Sequence, residues 1–307
     1  MTRVLEQAAP AIPGPHRPGT VVVGFDGSAP AWPALYWAAA EAVGTGRRLQ
    51  VLSVIRWPQP ELGGLRLPPG VGDLDRTRRT ATASLGAAAA HCREAFPGVH
   101  VTPAVVRGTP VDVLSQLAME SGLLVLGASG QTAAAQVLLG SSAAEVLRRV
   151  TTTVVVVRGV PTHRRGTAGR VVVGVDTSPD GDRALGHAMA VAARRGCEVV
   201  AVHACLDLPL AALAGSEDVD QGRLRADGAA LLAARLLAVR ETYPHVLVHP
   251  VVAIDHPAQA LLDHAAGADL VVVGRKGRAR TSGAAPGSVT HAVAHYAPCP
   301  VAVVGES

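Results

Sequence analysis

One stretch of this chain occurs twice. Val21-Val-Val-Gly-Phe-Asp-Gly-Ser28 returns as Val171-Val-Val-Gly-Val-Asp-Thr-Ser178, Leu123-Leu-Val-Leu-Gly127 as Leu270-Val-Val-Val-Gly274, and Thr153-Val-Val-Val-Val157 as Pro300-Val-Ala-Val-Val304. Order and spacing are nearly the same in both halves, so whatever one half folds into, the other folds into as well. At 307 residues, each copy is long enough to bury its own core. The boundaries expected are a tail over 1–18, a first domain over 19–158, a Gly-, Pro- and Arg-rich linker over 159–168 and a second domain over 169–307.

Within a copy, short Val-rich runs bounded by Gly or Pro read as buried strands, near 20–25, 49–55, 99–106, 123–127 and 153–158, then near 170–175, 198–204, 246–253, 269–274 and 300–304. Ala-rich amphipathic stretches lie between them, at 31–43, 75–95, 110–121 and 141–150 in the first copy, and read as helices. Aromatics make up only 3% of the chain, so the core must be packed from small branched side chains, which suits strands covered on both faces. Alternating strand and helix predicts an α/β, Rossmann-like fold: two tandem open five-stranded parallel sheets with helices on both faces. Ligands of such sheets bind beyond the carboxyl ends of the strands, where strand order reverses.

The motifs fall at those ends. Gly127-Ala-Ser-Gly130 is followed after nine residues by Gly140-Ser141, and Gly274-Arg-Lys-Gly277 after nine residues by Gly287-Ser288. A glycine ending a strand admits close backbone approach. A Gly-Ser pair opening a helix presents unpaired N–H groups and the positive dipole end to phosphate oxygens, and its hydroxyl can cap the helix or meet the ligand. One Gly-x-x-Gly is a tight turn; the same long spacing at the same point of two copies is a specific signal. The loop of copy one has no basic residue, whereas that of copy two holds Arg275, Lys276, Arg278 and Arg280, which favours copy two as the phosphate site. Asp255, standing where copy one has Gly108, opposes that preference.

These residues resemble the universal stress protein family, in its ATP-binding branch with the pattern G-x2-G-x9-G-[ST]. The likeness extends to the Gly108-Thr-Pro110 turn and to Cys299-Pro300-Val301, and so to nearly the whole chain outside tail and linker. It implies an adenine nucleotide alpha hydrolase-like fold whose two copies pair with each other through their last strands as an internal pseudo-dimer, with a further homodimer left open. It implies ATP, with or without Mg2+, as ligand. Asp26 and Asp176 would meet the adenosine, next to Gly24, Phe25, Gly174 and Val175, and Val54 and Ala204 would line the adenine slot. Leu126, Gly127, Gly130, Gly140, Ser141 and Ser142 would hold phosphate in copy one. Val273, Gly274, Arg275, Gly277, Gly287, Ser288, Val289 and Thr290 would do so in copy two. The function implied is a nucleotide-dependent regulatory or sensor module read by an unidentified protein partner. Its alternatives are a slow ATPase of the same fold and a stress protein that binds no nucleotide and acts through partner contacts.

Other classes fare worse. Neither loop offers Gly-Lys-Ser/Thr at Walker A spacing, and neither contains an acid to hold a metal or serve as base, so no dedicated enzyme is expected. His291, His295 and Cys299 have helical spacing for a metal, but Pro298 and Pro300 break the helix before the thiol continues its face. A net charge of +4 without interleaved aromatics does not suit nucleic acid. The prolines of the first twenty residues do not read as a signal peptide, and no apolar run is long enough to span a bilayer, so a cytoplasmic protein is expected. The four cysteines share no spacing and read as reduced packing residues.

Overall fold

The computed structural model describes residues 19–56, 74–128, 139–158, 169–205, 220–277 and 285–306. The expected tail and linker lie outside these residues. In the first half the elements are β1 (Thr20–Gly24), α1 (Ala31–Thr45), β2 (Arg48–Ile55), α2 (Leu74–Ala95), β3 (Val101–Arg107), α3 (Pro110–Ser121), β4 (Leu123–Gly127), α4 (Ser141–Arg149) and β5 (Thr153–Val157). The second half repeats them as β6 (Arg170–Gly174), α5 (Pro179–Arg195), β7 (Glu198–Ala204), α6 (Gln221–Thr242), β8 (Val248–Ala253), α7 (Pro257–Ala265), β9 (Leu270–Gly274), α8 (Ser288–Tyr296) and β10 (Val301–Val304).

The valine runs become strands because both of their faces are covered. Along β1, Val21 and Val23 join the apolar layer beneath α1 and α2, while Val22 joins the opposite layer beneath α3 and α4. The equivalent split at Val171, Val172 and Val173 places the second half in the same two layers. Side chains alternating across the sheet therefore feed two continuous cores, each running through both halves. Glycines in the left-handed conformation end α1 at Gly46 and α5 at Gly196, where a side chain would be strained.

The two five-stranded sheets join through their last strands, as expected, into one sheet of ten strands. Strand order is β3-β2-β1-β4-β5-β10-β9-β6-β7-β8, parallel within each half, with β5 and β10 antiparallel at the centre. Ala302 faces Val155 there, flanked by Val301 opposite Val156 and Val303 opposite Val154, all fully buried. This is the pairing of the two copies through their last strands. Each last strand would otherwise be an open apolar edge. Among the described residues no helix is long and apolar enough to cross a membrane.

Polar contacts make the seam asymmetric. Glu41 of α1, only 4% exposed, accepts from Arg194 at 2.5 Å and from Arg195 at 3.0 Å, both on α5. Arg195 also lies 5.0 Å from the ring centre of Trp37. On the other face Arg158, just past β5, donates to the carbonyl of Ala294 in α8, and Arg275, just past β9, donates to that of Arg148 in α4. Each short helix thus has a carbonyl near its C-terminal, negative end met by a cation from the other half.

His187 lies on α5 beside this cluster, its Nε2 buried without a hydrogen-bond partner. Burial pushes its pKa down to about 4; Glu41 opposes the shift, while Arg194, Arg195 and Arg47 add to it. The unfolded chain then takes up a proton between pH 6.5 and about 4 that the folded chain refuses, so stability falls as pH drops through that window. The expected loss from this group is on the order of 3 kcal/mol. Chemical denaturation at pH 7 and at pH 4.5 should show a smaller acid loss for His187→Leu than for the wild type.

Candidate functional site

In each half the strand order reverses between the first and fourth strands, and a cavity opens at their carboxyl ends. In the first half it measures about 220 Å³, between the ends of β1, β2 and β4 and the start of α4. In the second it measures about 230 Å³ and occupies the equivalent place among β6, β7, β9 and α8. The walls at the second strand are small and apolar, Leu52 and Val54 in one half and Val202 and Ala204 in the other, backed by Leu114 and Leu261.

The helix opposite those walls starts without a cap. Gly140 precedes α4 and Gly287 precedes α8, both extended, and neither helix has a side chain accepting from its first-turn N–H groups. The serines expected to cap stand one position further on, inside the helix. The N–H of Gly287 itself is used, donating to Arg275 O at 2.9 Å. What remains toward the cavity is the first turn of α8 from Ser288 onward, with its unpaired donors and positive dipole end. An extended backbone does not require glycine, and a Cβ at Gly287 would come no closer than 3.7 Å to any protein atom. The space over that glycine is left for something else.

Gly127 and Gly274 have a different reason to be glycine from the one expected. A Cβ at Gly127 would lie 2.5 Å from the carbonyl oxygen of Pro30, and one at Gly274 2.7 Å from the backbone of Asp180. The first turns of α1 and α5 pack directly on these strand ends, so the fold itself requires the missing Cβ at both cavity-lining glycines.

The second site is the more tightly tied. Asp176 Oδ1 accepts from the Ser178 N–H at 2.9 Å and lies 2.5 Å from its hydroxyl. Ser178 Oγ accepts from Gly181 N, capping α5, and lies 3.1 Å from the carbonyl of Lys276. The N–H of Lys276 donates to Asp180 Oδ2 at 2.9 Å. The loop after β9 is thus fastened to the start of α5. The carboxylate of Asp176 is nested in this web, Oδ1 against Gly181 and Oδ2 against Gly277. In the first site the corresponding contact is a single bond, from Ser28 N to Asp26 Oδ1 at 2.9 Å.

Gly24, Phe25, Asp26, Val54, Leu126, Gly127, Gly140, Ser141 and Ser142 all line the first cavity; Gly130 lies outside the described residues. Gly174, Val175, Asp176, Ala204, Val273, Gly274, Gly277, Gly287, Ser288, Val289 and Thr290 line the second. Arg275 does not. Its side chain, 3% exposed, turns away into the seam, and burial lowers its pKa, with Asp180 and Glu306 opposing. The hydroxyl of Thr290 donates to Gly274 O at 2.7 Å and so ties α8 to the strand end instead of standing ready for a ligand. Asp255 is not among the lining residues; its Oδ1 accepts from His256 N. The loops contain no acid in sequence, yet the fold brings Asp176 against one of them.

Sequence reasoning missed Pro110 and Leu114 in the first site, and His203, His256 and Leu261 in the second. It named Lys276 only as one of four cations. A signal was available: Lys276 is the chain's single lysine among 28 basic residues. Elsewhere, the rings of His291 and His295 lie 4.3 Å apart, and among the described residues no group of three or more His, Cys, Asp or Glu could hold a metal. All four cysteines are free; burial raises Cys92 to about 11 and Cys299 to about 12, holding both as thiols.

A five-stranded parallel sheet with a cavity at its switch point and an uncapped helix start above it defines a Rossmann-like α/β unit, duplicated here. The model of the universal stress protein family matches residues 19–158 and 167–305, and the chain belongs to that family. It is 34% identical over 305 residues to universal stress protein Rv2005c of Mycobacterium tuberculosis, covering 95% of this chain and 99% of that one. A universal stress protein of Mycolicibacterium smegmatis is 32% identical over 292 residues, covering 92% and 96%. Among solved structures, a universal stress protein from Archaeoglobus fulgidus superposes with a TM-score of 0.69 at 21% identity, covering 94% of this chain and 98% of that one, which shows the shared fold.

Gly127→Ala and Gly274→Ala should each destabilise the protein by about 1–3 kcal/mol, because the new methyl meets backbone that cannot step aside. Thermal or denaturant unfolding with no ligand present measures this.

Proposed function

We propose that this universal stress protein binds adenine nucleotides in its two cavities, ATP foremost in the second half, and that the filled and empty states are what a protein partner distinguishes. The observation that carries the reading is the pair of glycines opening α4 and α8. Each leaves a helix start uncapped beside a cavity, and at Gly287 no neighbouring atom needs the room. Helix starts of this kind attract phosphate through free N–H groups and the dipole. The base would lie against Val54 in one half and Ala204 in the other, in walls that bury a flat ring without demanding polar partners. Asp26 and Asp176, at the ends of the first strands, stand between the two regions and accept ribose hydroxyls.

Binding, and not turnover, is the activity proposed. Of the two acids beside the second loop, Asp180 is taken up by the Lys276 N–H, and Asp176 has its Oδ1 already engaged by Ser178. Its Oδ2, beside Gly277, is the oxygen suited to a magnesium ion accompanying the phosphates, which would offset their charge. A partner can read occupancy only if it binds the two states with different affinity. The loops after β4 and β9 are the segments whose contacts a nucleotide would change most directly.

Gly287→Ser gives a test with opposite signs. The serine fits the extended backbone, and its hydroxyl can cap α8, so the melting temperature should hold or rise, by no more than about 1 kcal/mol in stability. The same hydroxyl occupies the N–H groups meant for phosphate, so ATP affinity at that site should fall at least tenfold by calorimetry. Unchanged affinity, or a wild type that binds neither ATP nor ADP, would overturn the proposal.

A further inference from the structure

The two cavities match in shape and position but not in charge. Among the described residues lining the first, Asp26 is the only charged one. The second is lined by Asp176 and also by Lys276, His203 and His256. The sequence joining Ala128 to Leu139 contains no charged residue, whereas that joining Gly277 to Ala285 contains Arg278 and Arg280. The duplication has therefore been kept in backbone and abandoned in electrostatics.

Lys276 is positioned with care for a surface residue. Asp180 holds its N–H, and Ser178 lies within hydrogen-bond reach of its carbonyl. Its backbone is thus fixed from both sides, the residue is one of those that line the cavity, and among the described residues no carboxylate pairs with it within ion-pair distance. Its neighbour Arg275 is committed to the seam. Of the two described cations in this loop, one serves the pairing of the halves and the other is left to a ligand. An ammonium is a compact charge suited to phosphate oxygens. His203 is held by its Nδ1 at 2.8 Å from the carbonyl of Val175, and His256 caps α7 by accepting from Ala258 N; both residues are among those lining the same cavity.

We infer that the halves select different ligands: the second takes a polyphosphate nucleotide through Lys276, and the first a nucleoside or nucleotide bearing little charge. This rests on the adenine-nucleotide reading above and assigns a ligand class to each site. Among the described residues lining the first cavity no side chain is a cation: its positive elements are the starts of the helices that open on it, α4 among them, and its one ionised side chain is the carboxylate of Asp26. Each added phosphate charge is then met by no side-chain cation, and affinity should not climb with phosphate number. In the second, every added charge draws nearer to Lys276, and affinity should climb.

The experiment titrates the full chain with adenosine, AMP, ADP and ATP by calorimetry. It does so in Gly140→Val, where the second site alone is open, and in Gly287→Val, where the first alone is open. In Gly140→Val, ATP should bind at least tenfold more tightly than adenosine, and Lys276→Met should bring that ratio to within about twofold of one, with Lys276→Arg restoring most of it. In Gly287→Val the ratio should stay within about twofold of one or favour adenosine. Because Lys276 is the only lysine, labelling with an amine-reactive ester gives a second readout that does not depend on the variants: ATP should protect it and adenosine should not. Equal ratios at the two sites, or a ratio that survives Lys276→Met, would overturn the inference and leave adenine binding standing. Failure of every ligand at both sites would overturn both.

Discussion

The antiparallel pairing of β5 with β10 is the contact on which this architecture turns. Each half alone ends in a strand of valines with no neighbour on one side, an edge that must be covered or will find another edge. Pairing the two edges within one chain satisfies both at once and turns two five-stranded sheets into one of ten strands. The antiparallel sense relates the halves by an approximate twofold axis. It brings α1 against α5 on one face and the ends of α4 and α8 near the seam on the other. Everything specific to the seam follows from that placement. Glu41 reaches Arg194 and Arg195 because the axis sets α1 beside α5, and Arg158 and Arg275 find helix carbonyls because the axis carries each past its own half.

The same arrangement links the sites to the seam. Arg275 follows the strand that forms the floor of the second cavity, and its side chain ends on α4, the helix whose start forms the first cavity's anion pole. Arg158 makes the reciprocal connection to α8. The cavities themselves are a product of strand order: wherever β1 and β4, or β6 and β9, diverge into loops on opposite faces, a gap is left, and the helix that begins there points its dipole into it.

Most of the strands and helices were legible because the signal was local. Runs such as Val21–Val23 are buried on both faces, and Gly or Pro punctuates them, so periodicity alone located them to within two residues or so. The glycine spacing also pointed to the two cavities, since repetition at the same distance in two copies is more specific than an ordinary turn. The reasons for individual residues were less legible. Gly127 and Gly274 were read as making room for a ligand, but the atoms that need the room belong to Pro30 and Asp180, nearly a hundred residues away in sequence. Arg275 was read as a phosphate residue and its neighbour Lys276 was not, yet it is Lys276 that lines the cavity while the Arg275 side chain turns into the seam.

From its sequence alone this chain is fixed as two copies of an α/β unit, with phosphate-type loops at matching places and a charge difference between them. Those properties depend on composition and on spacing along the chain, which any reading can measure. Which cation lines the cavity, which glycine serves the packing, and how an acid comes to stand beside a loop that contains none were decided only in three dimensions. Each depends on a contact between segments far apart in the chain, and side-chain direction at such a contact is set by the packing of both partners, information that neither segment carries by itself.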